Sequence, residues 1–106
     1  MTVTVKNLFA NFSAGTNGED FLTLFENANV KISRIVSLAH SSPPGFWYDQ
    51  AEDEWVIILR GSATLEFADG ELVELKVGDW LTLARHVKHR VAQTSAETIW
   101  LSVQAV

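Results

Sequence analysis

Short runs of strand-forming residues, separated by turn signals, constrain this sequence more than any other feature. Through most of the chain the turn residues recur at intervals of about 8–12 residues. Leu65 and Phe67 alternate with polar residues before a turn at Gly70, and Val73 and Leu75 do so after it, as in a β-hairpin. The pattern predicts about eight short strands and no long helix. We therefore expect an all-β jelly-roll barrel, because closure of the sheets removes exposed strand edges.

The N-terminal part of the chain is less regular. Residues 2–5 alternate weakly and are compatible with a short strand, and residues 15–18 resemble a turn. The acidic pair Glu19-Asp20 precedes an apolar run, as acidic residues often do at the start of a helix. We expect a short helical turn at this point.

With 106 residues the chain has the length of one domain. We divide it into an N-terminal arm, residues 1–28, packed at the edge of a barrel formed by residues 29–106.

A net charge of −5 without a basic run argues against nucleic acid or an anionic membrane as partner. The absence of cysteine excludes disulfides and thiolate metal sites. No apolar run has the length to cross a bilayer, and no signal peptide is evident, so we expect a cytoplasmic protein.

Two stretches place glycine, acidic residues and histidine at defined spacings. In the first, six residues separate Glu54 from Gly61, a turn glycine after an apolar run. In the second, Gly78 and Asp79 open a strand region whose return delivers His89. These stretches resemble the two motifs of the cupin superfamily, over nearly the whole predicted barrel. The resemblance implies a double-stranded β-helix, one divalent metal inside the barrel, and a homodimer.

The sequence departs from the cupin pattern at the His-x-His pair that typically precedes the glutamate. Those positions hold Tyr48 and Gln50, or Trp47 and Asp49, depending on the spacing. The resemblance thus implies a site for Mn, Fe, Ni or Zn in which only the motif glutamate and histidine are retained. Gln50, as a weak oxygen ligand, or Asp49, as a harder one, would complete it.

Three side chains near the motifs are candidate catalytic groups. Glu54 shares the strand parity of Val56 and Ile58, which predicts a carboxylate inside the barrel, where it must be paired or metal-bound. The alternative is a strand-end carboxylate in water. His89 is the best single functional candidate, with a surface histidine as the alternative. Tyr48 is suited to donate a hydrogen bond or act as an acid.

Further residues are candidates for substrate binding. Arg34 and His40 have the parity of Val36, and strict alternation points all three inward. An inward Arg34 suits a carboxylate or phosphate of a ligand, whereas a bulge or a strand end would place it in solvent. His40 would restore a second imidazole to the site. Trp47 is expected at the mouth of the pocket and His86 at its rim.

The sequence supports two functional hypotheses. The first is a small metalloprotein or enzyme that acts on a small polar metabolite, a carboxylate or a sugar derivative, with redox-neutral chemistry favoured over oxygenation. The second is a non-catalytic module that binds or senses a small molecule in the same pocket without metal. Loss of the histidine pair is compatible with either hypothesis.

Overall fold

The computed structural model describes residues 2–11 and 18–105, which form two antiparallel sheets. Eight strands follow one another along the chain: β1 (Glu19–Glu26), β2 (Val30–Ser37), β3 (Asp53–Arg60), β4 (Ala63–Phe67), β5 (Leu72–Leu75), β6 (Trp80–Leu83), β7 (His89–Thr94) and β8 (Thr98–Ala105). One sheet has the order β1-β2-β8-β3-β6, and the other has the order β5-β4-β7. The described residues contain no helix, and so none that is long and apolar enough to cross a membrane. The all-β prediction is confirmed.

The expected helical turn after Glu19 is wrong, because this segment forms strand β1. β1 pairs with β2 along its length, from Glu19 opposite Ser37 to Glu26 opposite Lys31. Asn27 stabilises the connecting turn. Its side-chain oxygen accepts hydrogen bonds from the backbone N–H groups of Asn29 and of Val30, the first residue of β2. Ladder hydrogen bonds to a neighbouring strand outweigh a local helix signal of a few residues.

Two other N-terminal expectations have different outcomes. Residues 2–5 form no strand, and Val3 and Val5 are exposed. Of the turn expected at residues 15–18, only Gly18 is described, and the remainder lies outside the described residues.

The main hydrophobic core lies between the two sheets. Inward-facing residues of β3 and β8 meet those of β4 and β7, and the buried set comprises Val56, Ile58, Ala63, Leu65, Leu75, Leu83, Val91 and Trp100. The continuous apolar run of β3 is explained by burial on both faces, since one side packs in this core and the other is partly covered.

The inward direction predicted for Arg34 is wrong. Ile35, not Arg34, lies opposite Trp100 of β8 and packs against the core. Arg34 occupies the outer face, where its guanidinium donates to the carbonyl oxygens of Leu8 and Ala10 and pairs with Asp20. The N-terminal segment thus covers the outer face of β2, so both faces are buried and alternation alone does not identify the inner one.

A tight turn after β3 provides a test of this packing. Gly61 has a φ of +77°, and a methyl group there would overlap the Glu97 carbonyl oxygen and the Ser95 hydroxyl. Gly70 has a φ of +92° with open space around it. We expect Gly70→Ala to cost about 1 kcal/mol from backbone strain and Gly61→Ala to cost about 2 kcal/mol more from overlap. Urea unfolding of both variants measures the difference, and equal losses would contradict the described packing.

Candidate functional site

A cavity of about 80 Å³ opens at one end of the barrel. Its walls come from both sheets and are mainly apolar, with contributions from Ile35, Val56 and Leu65. The polar or ionisable side chains that line it are Glu19, Tyr48, Gln50, Glu54 and His89. A volume of this size accommodates several water molecules, or a small metabolite or the reacting end of a larger one.

Glu54 projects from β3 into this cavity. It is 8% exposed and follows the inward parity of Val56 and Ile58. Ser102 of β8 lies opposite Val56, which places it diagonally across from Glu54, and its hydroxyl donates to Glu54 Oε2. No other described residue donates to the Glu54 carboxylate, so one of its oxygens remains available to a ligand.

His89 begins β7 and is 5% exposed. Its Nδ1 lies 2.9 Å from the carbonyl oxygen of Val87. Because a carbonyl only accepts, Nδ1 carries the proton in this contact, and the neutral form of the ring has its lone pair on Nε2. None of the described side chains bonds to Nε2, so this atom is available as a base or as an acceptor for a ligand.

Tyr48 lies in the segment between β2 and β3 and is held against His89. The backbone N–H of Tyr48 donates to the His89 carbonyl at 2.7 Å, and that of His89 donates back at 3.2 Å. The two rings stack with centroids 5.4 Å apart. Burial raises the pKa of the Tyr48 phenol, and the charges of Glu19 and Glu54 raise it further. Tyr48 therefore remains a hydrogen-bond donor at neutral pH.

Glu19 is a cavity residue that the sequence did not predict. It is the first residue of β1, and it pairs with His40 Nε2 at 3.1 Å while Ser37 donates to its other oxygen at 3.4 Å. Burial raises the pKa of Glu19 above its usual value, and His40 and the Ser37 hydroxyl oppose that rise. The turn at Asn27 between two strand-forming runs was the signal that would have placed Glu19 on a strand.

His40 lies outside the inner cavity, in a wider outer groove. This groove, of about 460 Å³, is also lined by Ser41, Ser42 and Phe46, and it shares Glu19 and Tyr48 with the inner cavity. Its contact with Glu19 links His40 to the inner cavity.

The remaining candidates do not meet in the cavity. Asp49 lies on the surface, where its carboxylate contacts His86 Nδ1 at 2.8 Å. The Gln50 side chain lines the cavity, and the Gln50 backbone carbonyl accepts a hydrogen bond from the His86 N–H. Trp47 is half-buried and is not part of the cavity wall. Arg34 is held on the outer face of the sheet.

The cavity does not fit the divalent metal that the resemblance implies. Across residues 2–11 and 18–105, no group of three or more His, Asp or Glu side chains is placed to hold a metal ion. The inner wall offers one imidazole, from His89, the carboxylate of Glu54 and a neutral amide from Gln50. The second carboxylate of the wall, that of Glu19, is held by His40 and Ser37. Asp49 is turned to the surface, and Tyr48 takes one position of the missing histidine pair. We therefore assign no chemical step to a metal.

Comparison with known proteins gives one family and many similar structures. Residues 36–104 match the cupin domain family. A crystal structure from Ralstonia eutropha JMP134, described as a "putative mannose-6-phosphate isomerase", is 42% identical, with a TM-score of 0.88, over 97% of this chain and 98% of its own. No protein of curated function matches the sequence.

Two more distant structures bear on the fold alone. A cupin superfamily protein from Desulfitobacterium hafniense DCB-2 has a TM-score of 0.75 at 21% identity, covering 90% of this chain and 84% of its own. An RmlC-like cupin family protein from Methanocaldococcus jannaschii, with a double-stranded β-helix fold, has a TM-score of 0.71 at 20% identity, covering 90% and 86%. The double-stranded β-helix prediction is confirmed, and the chain belongs to the cupin family.

Proposed function

We propose that this cupin binds a small sugar derivative in the inner cavity and moves its carbonyl group by proton transfer, as an isomerase. The observation that supports this is the convergence of a carboxylate, an imidazole and a phenol, from Glu54, His89 and Tyr48, on one small cavity. Such a set contains both acceptors and a donor of protons, as acid–base catalysis requires.

Each group has a role that its surroundings support. Glu54, with one oxygen available, takes the proton from the carbon beside the substrate carbonyl. Tyr48, whose pKa is raised by burial and by neighbouring carboxylates, donates a hydrogen bond to the carbonyl oxygen. His89 Nε2 accepts the proton of the adjacent hydroxyl and delivers it to the former carbonyl oxygen, so that the negative charge of the enediolate moves to the adjacent oxygen. Glu54 then returns its proton to the former carbonyl carbon, which leaves the carbonyl on the adjacent carbon with no change in overall oxidation state.

Two further observations favour a sugar derivative over a carboxylate as substrate. The Ralstonia eutropha protein, alike over nearly its full length, carries a sugar-isomerase description. Arg34, which in an inward position would suit a carboxylate or phosphate, lies on the other face of its strand and donates to the backbone of the N-terminal segment. The described cavity wall therefore has no arginine to recognise a carboxylate.

We expect the protein to exchange a substrate C–H proton for deuterium in D₂O. Proton NMR of hexoses, amino-hexoses and hexose 6-phosphates would detect exchange at the carbon beside the carbonyl, even when little product accumulates. Glu54→Gln should slow exchange by at least about 100-fold, and His89→Gln should also slow it. Glu52→Gln, the same change at a nearby acid outside the cavity wall, is the matched control.

Two results would revise this proposal in different ways. Exchange that persists in both Glu54→Gln and His89→Gln would contradict the assigned mechanism. Ligand binding, measured by calorimetry, without exchange of any bound compound would instead favour the non-catalytic binding function.

Chelation separates this mechanism from metal catalysis. Because the described donors do not form a metal site, we expect dialysis against EDTA to leave the rate of deuterium exchange unchanged. The rate would be compared before dialysis, after dialysis, and after addition of Mn²⁺, Fe²⁺, Ni²⁺ or Zn²⁺. Loss of exchange on chelation, with recovery on addition of one of these ions, would show that a metal is required.

A further inference from the structure

We propose that the sugar derivative bound in the inner cavity carries a positively charged group in addition to its reacting carbonyl, an ammonium group such as that of an amino sugar. This inference rests on the proposed function, since it specifies the class of sugar derivative that the same site takes. It depends on the charge, the hydrogen-bonding capacity and the aromatic surfaces of the cavity wall.

The charges that face the inner cavity are negative. Glu19 and Glu54 line it, and no lysine or arginine among residues 2–11 and 18–105 does. The arginines of β2 and β7 are engaged elsewhere: Arg34 donates to the carbonyl oxygens of Leu8 and Ala10, and Arg90 pairs with Glu66 and donates to the Ser42 carbonyl. His40 lies behind Glu19 in the outer groove, where it offsets part of the charge of Glu19. Within the part of the chain that the structure describes, Glu54 has no cationic partner, so an anionic ligand group would meet like charge.

The cavity wall presents two acceptors that no described donor satisfies. Glu54 offers an oxygen and His89 offers the lone pair of Nε2, whereas Tyr48 and the Gln50 amide supply donors. An ammonium group carries three donors and no acceptor, which complements the oxygen of Glu54 and the Nε2 atom of His89. Carboxylate and phosphate groups carry only acceptors and would leave Glu54 and His89 unsatisfied in a buried site.

Aromatic rings complete the match. Phe21, Tyr48 and Trp100 form part of the cavity wall. The face of an aromatic ring attracts a cation, and the attraction is strongest where water is excluded. A wall that combines rings with carboxylates is therefore suited to an ammonium group carried on a hydroxylated carbon skeleton.

Calorimetry with three hexose derivatives tests this inference: glucosamine, glucose and glucuronate, which carry positive, zero and negative charge. We expect glucosamine to bind at least about tenfold more tightly than glucose, and glucuronate more weakly than glucose. Glu54→Gln and, separately, Glu19→Gln should reduce the preference for glucosamine. Glu52→Gln should preserve it, and thermal unfolding would verify that each variant is folded.

The outcomes distinguish this inference from the proposed function. Equal binding of glucosamine and glucose, or tighter binding of glucuronate, would overturn the charge preference and leave the sugar site standing. Binding of ethanolamine without binding of any hexose would support the ammonium site and contradict the sugar substrate. Absence of binding by ethanolamine and by all three hexoses would overturn the inference.

Discussion

The candidate site depends on keeping a carboxylate inside an otherwise apolar barrel. Glu54 lies among core side chains, where a carboxylate without donors would be strongly destabilising. The register of β3 against β8 supplies the donor, because it sets Ser102 opposite Val56 and within reach of Glu54. The same register sets Trp100 opposite Ile58. The pairing of β3 with β8 therefore determines both the packing of the core and the position of the Glu54 carboxylate beside it.

The segment between β2 and β3 contributes Tyr48 and Gln50 to the cavity, and hydrogen bonds hold both residues in place. Tyr48 is held by paired backbone hydrogen bonds to His89, and Gln50 by the bond from the His86 N–H to its carbonyl oxygen. His86 also contacts Asp49, so residues that were candidates for ligands serve to position the segment. Glu19 and Tyr48 stand between the inner cavity and the outer groove, and a larger ligand would contact both spaces through them.

Much of the fold followed from local patterns, but the direction of side chains on β2 and the role of β1 did not. Glycine turns and hairpin alternation predicted the strands, and motif spacing singled out Glu54 and His89, which the structure brings to one cavity. Alternation failed for Arg34 because the N-terminal segment buries the outer face of β2, a contact between residues distant in sequence. Glu19 was missed because acidic residues at a strand start have the same local signature as those at a helix start.

The convergence of Glu19, Tyr48 and Glu54 on one cavity can be measured directly, because Tyr48 is the single tyrosine of the chain. Alkaline titration, followed by the ultraviolet absorbance of the phenolate, reports the pKa of this residue alone, with circular dichroism to verify that the protein stays folded. We predict a pKa above the ordinary value for tyrosine, lowered by Glu19→Gln and by Glu54→Gln, since loss of a negative charge favours the phenolate, and unchanged by Glu52→Gln. An ordinary pKa that neither cavity substitution moves would contradict it.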